Sequence, residues 1–257
     1  MSHMQRHFFD SLQVLVFPDK KQMGKFAAAE AAAAIRMLAE EQDEISILFA
    51  AAPSQDDFLS ALVMEENIPW ERVNAFQLDD YIGIQADAPQ RFANYLKRNI
   101  FDAIPLKNIF LINCENTDTR KEVERYTLEI KAHSADIAFI GIGENGHVAF
   151  NDPGIADVYD SLLVREVLMD ERSRIQQVND GCFDRLELVP RSAITLTIPP
   201  IMACKRIFCI VPGKSKAQAV YDTLYEEFDN MHPSTILRSS KKTTLYLDRD
   251  SASMLNL

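Results

Sequence analysis

The sequence predicts an α/β fold in which a mostly parallel sheet is covered by helices on both faces. Short runs of β-branched and aromatic residues alternate with longer segments whose apolar residues recur every three or four positions. Strands that alternate with helices form βαβ units, which place the strands parallel and the helices on the two faces. The 257 residues are 47% hydrophobic and 25% charged, an ordinary composition for a globular protein with a substantial core. No repeat or linker-like tract divides the chain, so we expect residues 1–257 to form one Rossmann-like domain.

In the first half of the chain, apolar runs predict strands and amphipathic segments predict helices. The predicted strands are residues 12–17 (LQVLVF), 45–52 (ISILFAAA), 73–78, 109–112 and 137–140 (IAFI). The predicted helices are the alanine-rich residues 20–41, the segment 56–66, the segment 89–103, and the segment 117–132, which begins at a Thr or Asp cap. The segment 56–66 carries Phe58, Leu59, Leu62 and Val63 at helical spacing.

The second half of the chain continues the alternation with shorter elements. Residues 162–169 alternate only weakly between apolar and polar. The predicted strands are residues 193–198, 206–211 and 244–247, and the predicted helices are residues 200–203 and 214–227. Because strands and helices still follow one another, this half is expected to extend the same sheet.

The net charge limits the kinds of partner that we expect the protein to bind, and the cysteine content indicates the cellular compartment. The net charge of −11 argues against a nucleic-acid-binding surface and against binding to an anionic membrane. A local basic site can still accept a small anionic substrate. The four cysteines show neither a CxxC pair nor metal-ligand spacing, which favours reduced thiols in a cytoplasmic protein. No apolar run approaches the ~18 residues of a membrane span, and no signal peptide is evident.

The N-terminus and the state of assembly are less constrained. We expect residues 1–10 to lie outside the ordered domain, and the Ser-His-Met at positions 2–4 resembles a cloning remnant. The sequence leaves the oligomeric state open, a homo-oligomer included.

The loop at residues 141–154, GIGENGHVAFNDPG, carries the most chemistry of any segment. It holds four of the eight glycines in the chain, and glycine lets the backbone turn sharply and approach a ligand closely. His147 can exchange a proton near neutral pH, and Asn145 or Asp152 can orient its ring. Open α/β sheets bind ligands beyond the carboxyl ends of their strands, where this loop lies. We therefore predict acid–base chemistry here, against the simpler interpretation of a tight turn with a surface histidine.

A second loop, FQLDDYIG at residues 76–83, places two adjacent carboxylates after a predicted strand. Neighbouring side chains on an extended segment point to opposite sides, so one of Asp79 and Asp80 is expected to face the pocket. Such a carboxylate is a candidate base for removing a proton beside a carbonyl group. The alternative is an ordinary acidic loop.

Two further loops suit an anion. The AAPSQDD segment leads into a helix N-terminus with free N–H groups, where Ser54 and Gln55 could add donors, unless Ser54 only caps the helix. The VPGKSK segment supplies a lysine as a point charge, without separating Lys214 from Lys216, unless it is only a solvated helix start. The four loops together predict acid–base work on a small, polar, anionic molecule. No metal-ligand set and no GxSxG motif is evident.

The segments FQLDDYIG and GIGENGHVAFNDPG resemble the glucosamine-6-phosphate deaminase (isomerase) family, whose patterns read roughly F-x-M-D-E-Y-x-G and G-x-G-x-[DN]-G-H-[IV]-[GA]-F-N-E-P. VPGKSKA is similar to the lysine-bearing loop of that family, so the resemblance extends nearly to the C-terminus. The related 6-phosphogluconolactonases share the fold and the G-x-G-x-D-G-H turn but lack the D-E-Y type of segment and the A-F-N-E-P continuation.

The resemblance implies a role for each matching residue. Asp79 matches the aspartate that shuttles a proton between C1 and C2 of the opened sugar, and His147 the histidine that assists ring opening. Asn145 and Asp152 match its polar partners, and Lys216 matches the phosphate-binding lysine. The implied substrate is a sugar phosphate that is hydrolytically deaminated, with no cofactor and no metal. The other expected substrate- or phosphate-binding residues are Ser54, Gln55 and Gly146.

The chain departs from the family pattern mainly in the half that binds phosphate. The T-G-[GS]-T-P loop of the family reads AAAPSQ here, and the A-N-S-R-F-F stretch reads VNDGCF, with Gly181 in place of the arginine. Asp152 replaces a glutamate. The sequence leaves open whether Lys214 or Arg238 supplies the lost charge.

Three functions therefore compete. The leading prediction is an amino sugar phosphate isomerase and deaminase, because Asp79 and His147 are both present. A lactonase, which needs only water activation by the histidine, is the second. A non-catalytic sugar-binding regulator is the third, although binding alone requires no proton shuttle.

Overall fold

The computed structural model describes residues 4–115 and 118–257, and its strands form two sheets. The strands are β1 Gln5–Phe9, β2 Leu12–Phe17, β3 Ile45–Phe49, β4 Val73–Gln77, β5 Asp79–Tyr81, β6 Asn108–Phe110, β7 Ile137–Ile140, β8 Val164–Leu168, β9 Ser192–Leu196, β10 Arg206–Val211 and β11 Thr243–Asp248. Eight of them form a sheet in the order β1-β2-β11-β10-β7-β3-β4-β6. The pairs from β2 to β6 are parallel, and only β1 runs antiparallel to its neighbour.

The strand order reverses between β3 and β7. From β3 the chain continues outward through β4 to β6, whereas from β7 it continues the other way through β10 to β11. The pairing of Ile47 with Ile137 brings the carboxyl ends of the two central strands side by side. Such a reversal leaves a crevice between the loops that follow the two strands, where open α/β sheets bind ligands.

The helices cover both faces of this sheet, as the sequence predicts. They are α1 Lys20–Glu41, α2 Asp56–Val63, α3 Phe92–Asn99, α4 Thr119–Ala132, α5 Glu171–Asn179, α6 Ile198–Met202 and α7 Ala217–Tyr225. On one face, α1, α2 and α3 pack with inward residues such as Phe49 and Phe139. On the other face, α4, α6 and α7 pack with Leu48 and Ile140. Alternating residues of one strand thus enter two cores, because side chains alternate across a strand. None of the described helices is long and apolar enough to cross a membrane.

A second sheet of three strands lies at the carboxyl end of β4, and the sequence pattern does not separate it from the first. Its order is β5-β9-β8, and both pairs are antiparallel. Asp79 pairs with Thr195, so the carboxylate segment begins a new strand one residue after β4 ends. The segment is extended, as predicted, but it joins a separate sheet.

Three predictions about elements need correction. The N-terminal residues from Gln5 to Phe9 are not outside the fold, because they form β1 on β2; positions 1–3, with most of the suspected cloning remnant, lie outside the described residues. The helix predicted at 117–132 begins at Thr119 with Asp118 as its cap, and position 117 is outside the described residues too. Helix α5 was missed because its low apolar content gives no helical stripe.

Candidate active site

A narrow cavity of about 60 Å³ opens at the carboxyl ends of β3, β4, β7 and β10. It is lined by residues of all four loops that the sequence singles out, and by residues of α3 and α5. The lining residues are Ala50, Ala51, Ala52, Ser54, Gln55, Leu78, Asp79, Phe92, Gly141, Ile142, Gly143, His147, Ala149, Phe150, Gln176, Gln177 and Lys216. The fold thus gathers five of the predicted site residues, from segments far apart in sequence, around one pocket.

His147 is held by groups on the side of its ring away from the pocket. Its Nδ1 lies 2.7 Å from Asn145 Oδ1 and 3.2 Å from Asp152 Oδ1. Both are acceptors, so Nδ1 carries a proton and the neutral ring keeps its lone pair on Nε2. No hydrogen bond to Nε2 comes from the described parts of the chain, and the ring lines the cavity. The histidine is therefore set to exchange a proton with a ligand through Nε2.

The glycines around His147 have two different roles. A Cβ on Gly143 would collide with the imidazole, so this position needs glycine for the ring to fit. Gly146 has a φ of +85° and does not line the cavity; its carbonyl accepts a hydrogen bond from Ser234 N. The structure therefore gives Gly146 the role of turning the chain, whereas the sequence prediction made it a substrate contact.

Asp152 joins the histidine loop to α5. It is 1% exposed, and its carboxylate accepts hydrogen bonds from Asn145 Nδ2 and Ser173 Oγ, and from Asp170 N at 2.9 Å. Burial acts to raise the pKa of Asp152, but the hydrogen bonds and charge interaction with His147, together with the other donors, lower it below its ordinary value. The residue is thus kept as a carboxylate that fixes the orientation of the imidazole.

The two neighbouring carboxylates of the second loop point in different directions, as expected for an extended segment. Asp79 lines the cavity, and burial followed by the charges of Asp80 and Asp152 raises its pKa well above the ordinary value. Asp80 is fully buried and accepts hydrogen bonds from Phe92 N, at 3.1 Å, and from Arg91 Nε, at 3.2 Å. Asp80 therefore fixes the start of α3, whereas Asp79 is left free to act as a base.

The structure separates the two lysines that the sequence leaves equivalent. Gly213, with a φ of +95°, turns the chain after β10 and donates its N–H to Asp248. In the short 3₁₀ turn that follows, Lys214 is exposed and Lys216 is 5% exposed and lines the cavity. Burial lowers the pKa of Lys216, and the charges of Asp180 and Glu144 act to raise it. Lys216 is thus the cation available to a ligand in the cavity.

Ser54 and Gln55 form the part of the wall between β3 and α2. Neither α2 nor the preceding 3₁₀ turn has a side-chain cap, so the interpretation of Ser54 as a helix cap is wrong. Gln55 is 1% exposed and donates from Nε2 to Ser54 Oγ and Ile210 O. Both residues line the cavity, beside Gly141.

Arg238 does not replace the family arginine. Its guanidinium donates to Leu224 O, at 2.8 Å, and to Glu226 O, and so caps the C-terminus of α7. It stacks over Phe228 and does not line the cavity. Gly181 faces open space, since apart from its chain neighbours no described residue comes within 4 Å of the point where a Cβ would stand.

Sequence reasoning missed the contribution of α5. Ser173 Oγ lies 2.7 Å from His147 Nδ1, Gln176 Oε1 accepts from Glu144 N, and Gln177 Oε1 accepts from Tyr81 OH. The three side chains lie on one helical face, at spacings of three and four. Asp170, which accepts from Arg172 N as the cap of α5, was the signal that could have located this helix. Within the described residues, no three His, Cys, Asp or Glu side chains gather as metal ligands.

Comparisons with known proteins agree with this geometry. A family model described as glucosamine-6-phosphate isomerases/6-phosphogluconolactonase matches residues 18–246. A glucosamine-6-phosphate deaminase of Listeria innocua is 34% identical over 212 residues, which cover 82% of this chain and 88% of that protein. The solved structure of a monomeric glucosamine-6-phosphate deaminase matches with a TM-score of 0.85 at 28% identity, over 94% of this chain and 99% of that one. The 6-phosphogluconolactonase of Thermotoga maritima matches with a TM-score of 0.73 at 19% identity, over 91% and 98%, and so shares the fold.

Proposed function

The chain belongs to the family of glucosamine-6-phosphate isomerases and 6-phosphogluconolactonases, and we propose that within it the protein is a glucosamine-6-phosphate deaminase. It would convert glucosamine 6-phosphate, or a close hexosamine phosphate, to fructose 6-phosphate and ammonia. The observation that carries this proposal is that Asp79, His147 and Lys216 line one cavity. A base, a proton-exchanging imidazole and a cation are the groups that this reaction needs.

His147 would open the sugar ring. Its Nε2 faces the cavity while Asn145 and Asp152 hold Nδ1, so the neutral imidazole can take the proton from O1 and return one to O5. The C1–O5 bond breaks as the C1 aldehyde forms. The buried carboxylate of Asp152 stabilises the imidazolium that exists between the two transfers.

Asp79 would then carry the isomerisation. Its carboxylate removes the proton from C2, the C–H electron pair forms the C1=C2 double bond, and the C1=O pair moves to O1, which takes a proton from water. The nitrogen lone pair then forms the C2=N bond as the C1=C2 pair takes the proton back from Asp79 at C1. Water adds at C2 of this iminium, and ammonia leaves to give the ketose. Burial suits Asp79 to this step, since a carboxyl group with a raised pKa is the stronger base when ionised.

Lys216 would hold the phosphate. It is buried, it lines the same cavity, and no ion pair to its ammonium group forms within residues 4–115 and 118–257. A buried ammonium without a counter-ion is costly, so an anionic ligand stabilises it. This supports a phosphorylated substrate even though Gly181 stands where the family has an arginine.

The decisive experiment is an assay for ammonia release over a panel of hexosamines, each with and without the 6-phosphate. We expect release from glucosamine 6-phosphate and little from the unphosphorylated sugar. Asp79→Asn should lower kcat by about 10²–10⁴ and leave ligand affinity nearly unchanged, since it removes the base but little volume. Equal turnover of phosphorylated and free sugars would contradict the phosphate assignment, and full activity of Asp79→Asn would contradict the proton shuttle.

The same preparation separates the alternatives. Hydrolysis of 6-phosphogluconolactone without ammonia release would indicate a lactonase, and tight binding without either product would indicate a regulator. We also propose a cytoplasmic location, supported by cysteines that are all free: Cys114, Cys182, Cys204 and Cys209.

A further inference from the structure

Gln55 belongs to a part of the cavity wall that we call the distal pole and define by Ser54, Gln55, Gly141 and Lys216. All four line the cavity, and a Cβ on Gly141 would lie 3.3 Å from Gln55 Nε2. The distal pole therefore includes a buried ammonium group and a buried amide, both in the wall of the same cavity.

The orientation of the Gln55 amide is fixed by its neighbours. Its nitrogen donates to Ile210 O, at 3.2 Å, and to Ser54 Oγ, at 3.1 Å. The reverse orientation would set two carbonyl oxygens against each other at Ile210, which repel. Both amide hydrogens are thus used inside the protein, and Gln55 has none left to donate to a phosphate.

The oxygen of the same amide has no partner. Gln55 Oε1 is buried and accepts no hydrogen bond from the described residues. Native proteins leave few buried polar atoms unsatisfied, and such an atom beside a ligand pocket points to a missing donor. The fully ionised phosphate group of a monoester offers only acceptors, so the substrate phosphate that Lys216 attracts cannot itself satisfy Oε1.

We propose that Gln55 is a specificity-determining residue that accepts a hydrogen bond from a substrate hydroxyl next to the phosphate bound by Lys216. This rests on the proposed function for the phosphate, and it narrows the ligand class to polyol phosphates with a hydroxyl on the carbon beside the phosphate-bearing one. In a hexosamine 6-phosphate that hydroxyl is the one on C5. It exists only in the open chain, because O5 carries no hydrogen in the ring. Gln55 would therefore favour the opened sugar, on which Asp79 acts.

Calorimetric titration with two unreactive probes tests this, glucitol 6-phosphate and 5-deoxyglucitol 6-phosphate. The wild-type protein should bind the first about tenfold more tightly than the second, the effect expected for a hydrogen bond whose loss leaves a buried acceptor unpaired. In Gln55→Met, which keeps the length of the side chain and loses the acceptor, the ratio should fall to within about twofold. In Gln218→Met, at an exposed glutamine of α7 that does not line the cavity, the ratio should stay as in the wild type.

Three outcomes would overturn the proposal. One is equal wild-type affinity for the two probes, which needs no variant and so does not depend on the folding of Gln55→Met. Another is an unchanged ratio in a folded Gln55→Met protein. The third is a Gln55-dependent preference for inorganic phosphate over sulfate, combined with no preference between the two hexitol phosphates. That result would make the P–OH group of phosphate, and not a sugar hydroxyl, the donor to Gln55 Oε1. Ammonia release from glucosamine 6-phosphate is read separately, so a failure of this proposal is distinguishable from a failure of the deaminase assignment.

Discussion

The hydroxyl oxygen of Ser173, on helix α5, lies 2.7 Å from Nδ1 of His147, and the same hydroxyl group donates a hydrogen bond to Asp152. The serine is 1% exposed and stands 26 positions after the histidine. It therefore closes a buried network behind the imidazole, on the side opposite the pocket. A helix outside every recognisable motif thus helps to position the histidine.

Replacing Ser173 by alanine should lower kcat about tenfold, near 1.5 kcal/mol, and leave KM almost unchanged, because the residue contacts the histidine and not the substrate. The acidic limb of the kcat profile should move to higher pH, since the hydrogen bond from Ser173 is one of those that lower the pKa of Asp152. Steady-state kinetics between about pH 5 and 9 measures both. Arg172→Ala, at an exposed neighbour on the same helix, should leave the profile in place. A fall in Tm with an unchanged profile would make Ser173 only structural.

Replacing Lys216 by alanine should raise KM for glucosamine 6-phosphate by about one to two orders of magnitude, or ~1.5–3 kcal/mol for a charged hydrogen bond. Lys214→Ala is the matched control, because that lysine lies two positions earlier but is exposed. Its KM should stay within about twofold of the wild type. Equal effects of the two variants would show that general attraction, and not contact at the distal pole, binds the phosphate.

Replacing Asp79 by asparagine should stabilise the protein while it removes activity. The folded pKa of Asp79 lies well above 3.8, mainly through burial, so between pH 3.8 and that folded pKa the folded state holds a proton there that the unfolded state has lost. Above the folded pKa the ionised carboxylate destabilises the fold, and the asparagine variant should melt at least 2–4 °C higher, the shift for about 1 kcal/mol in a domain of this size.

The raised pKa of Asp79 also predicts how the difference in stability between the wild type and Asp79→Asn changes with pH. The stabilisation that the Asp79 carboxyl group gives the folded state is fully present below pH 3.8, and it is lost as the pH rises through the raised folded pKa. The amount by which the Tm of Asp79→Asn exceeds that of the wild type should therefore shrink as the pH falls towards 3.8. Thermal melts of both proteins across this range measure it, and an advantage that grows on acidification would contradict the assignment.

Replacing Arg238 by methionine should destabilise the protein by about 1–3 kcal/mol, because the carbonyls of Leu224 and Glu226 lose their donor. KM should not change, since Arg238 does not line the cavity. Chemical denaturation and steady-state kinetics on the same samples provide the two readings. A large rise in KM without loss of stability would indicate that Arg238 binds the phosphate of the substrate.

The kind of fold, and the two loops of the candidate site that carry Asp79 and His147, could be predicted from the sequence alone. Strands 12–17, 137–140 and 206–211 and helix 20–41 match their predicted bounds, because strong apolar patterns encode buried strands and amphipathic helices locally. The motifs around Asp79 and His147 were readable for the same reason: each is a short continuous segment in which residue type and spacing carry the chemistry.

The surroundings of those motifs could not be predicted from the sequence, because they form when distant segments pack together. Residues distant in sequence pair to form the separate antiparallel sheet and place α5 behind His147. They also determine that Lys216 lines the cavity, whereas Lys214 and Arg238 do not. The unpaired oxygen of Gln55 likewise depends on the carbonyl of Ile210, on a strand 155 positions away. Burial and hydrogen-bond pairing belong to the packed chain, so no local pattern of residues could have assigned them.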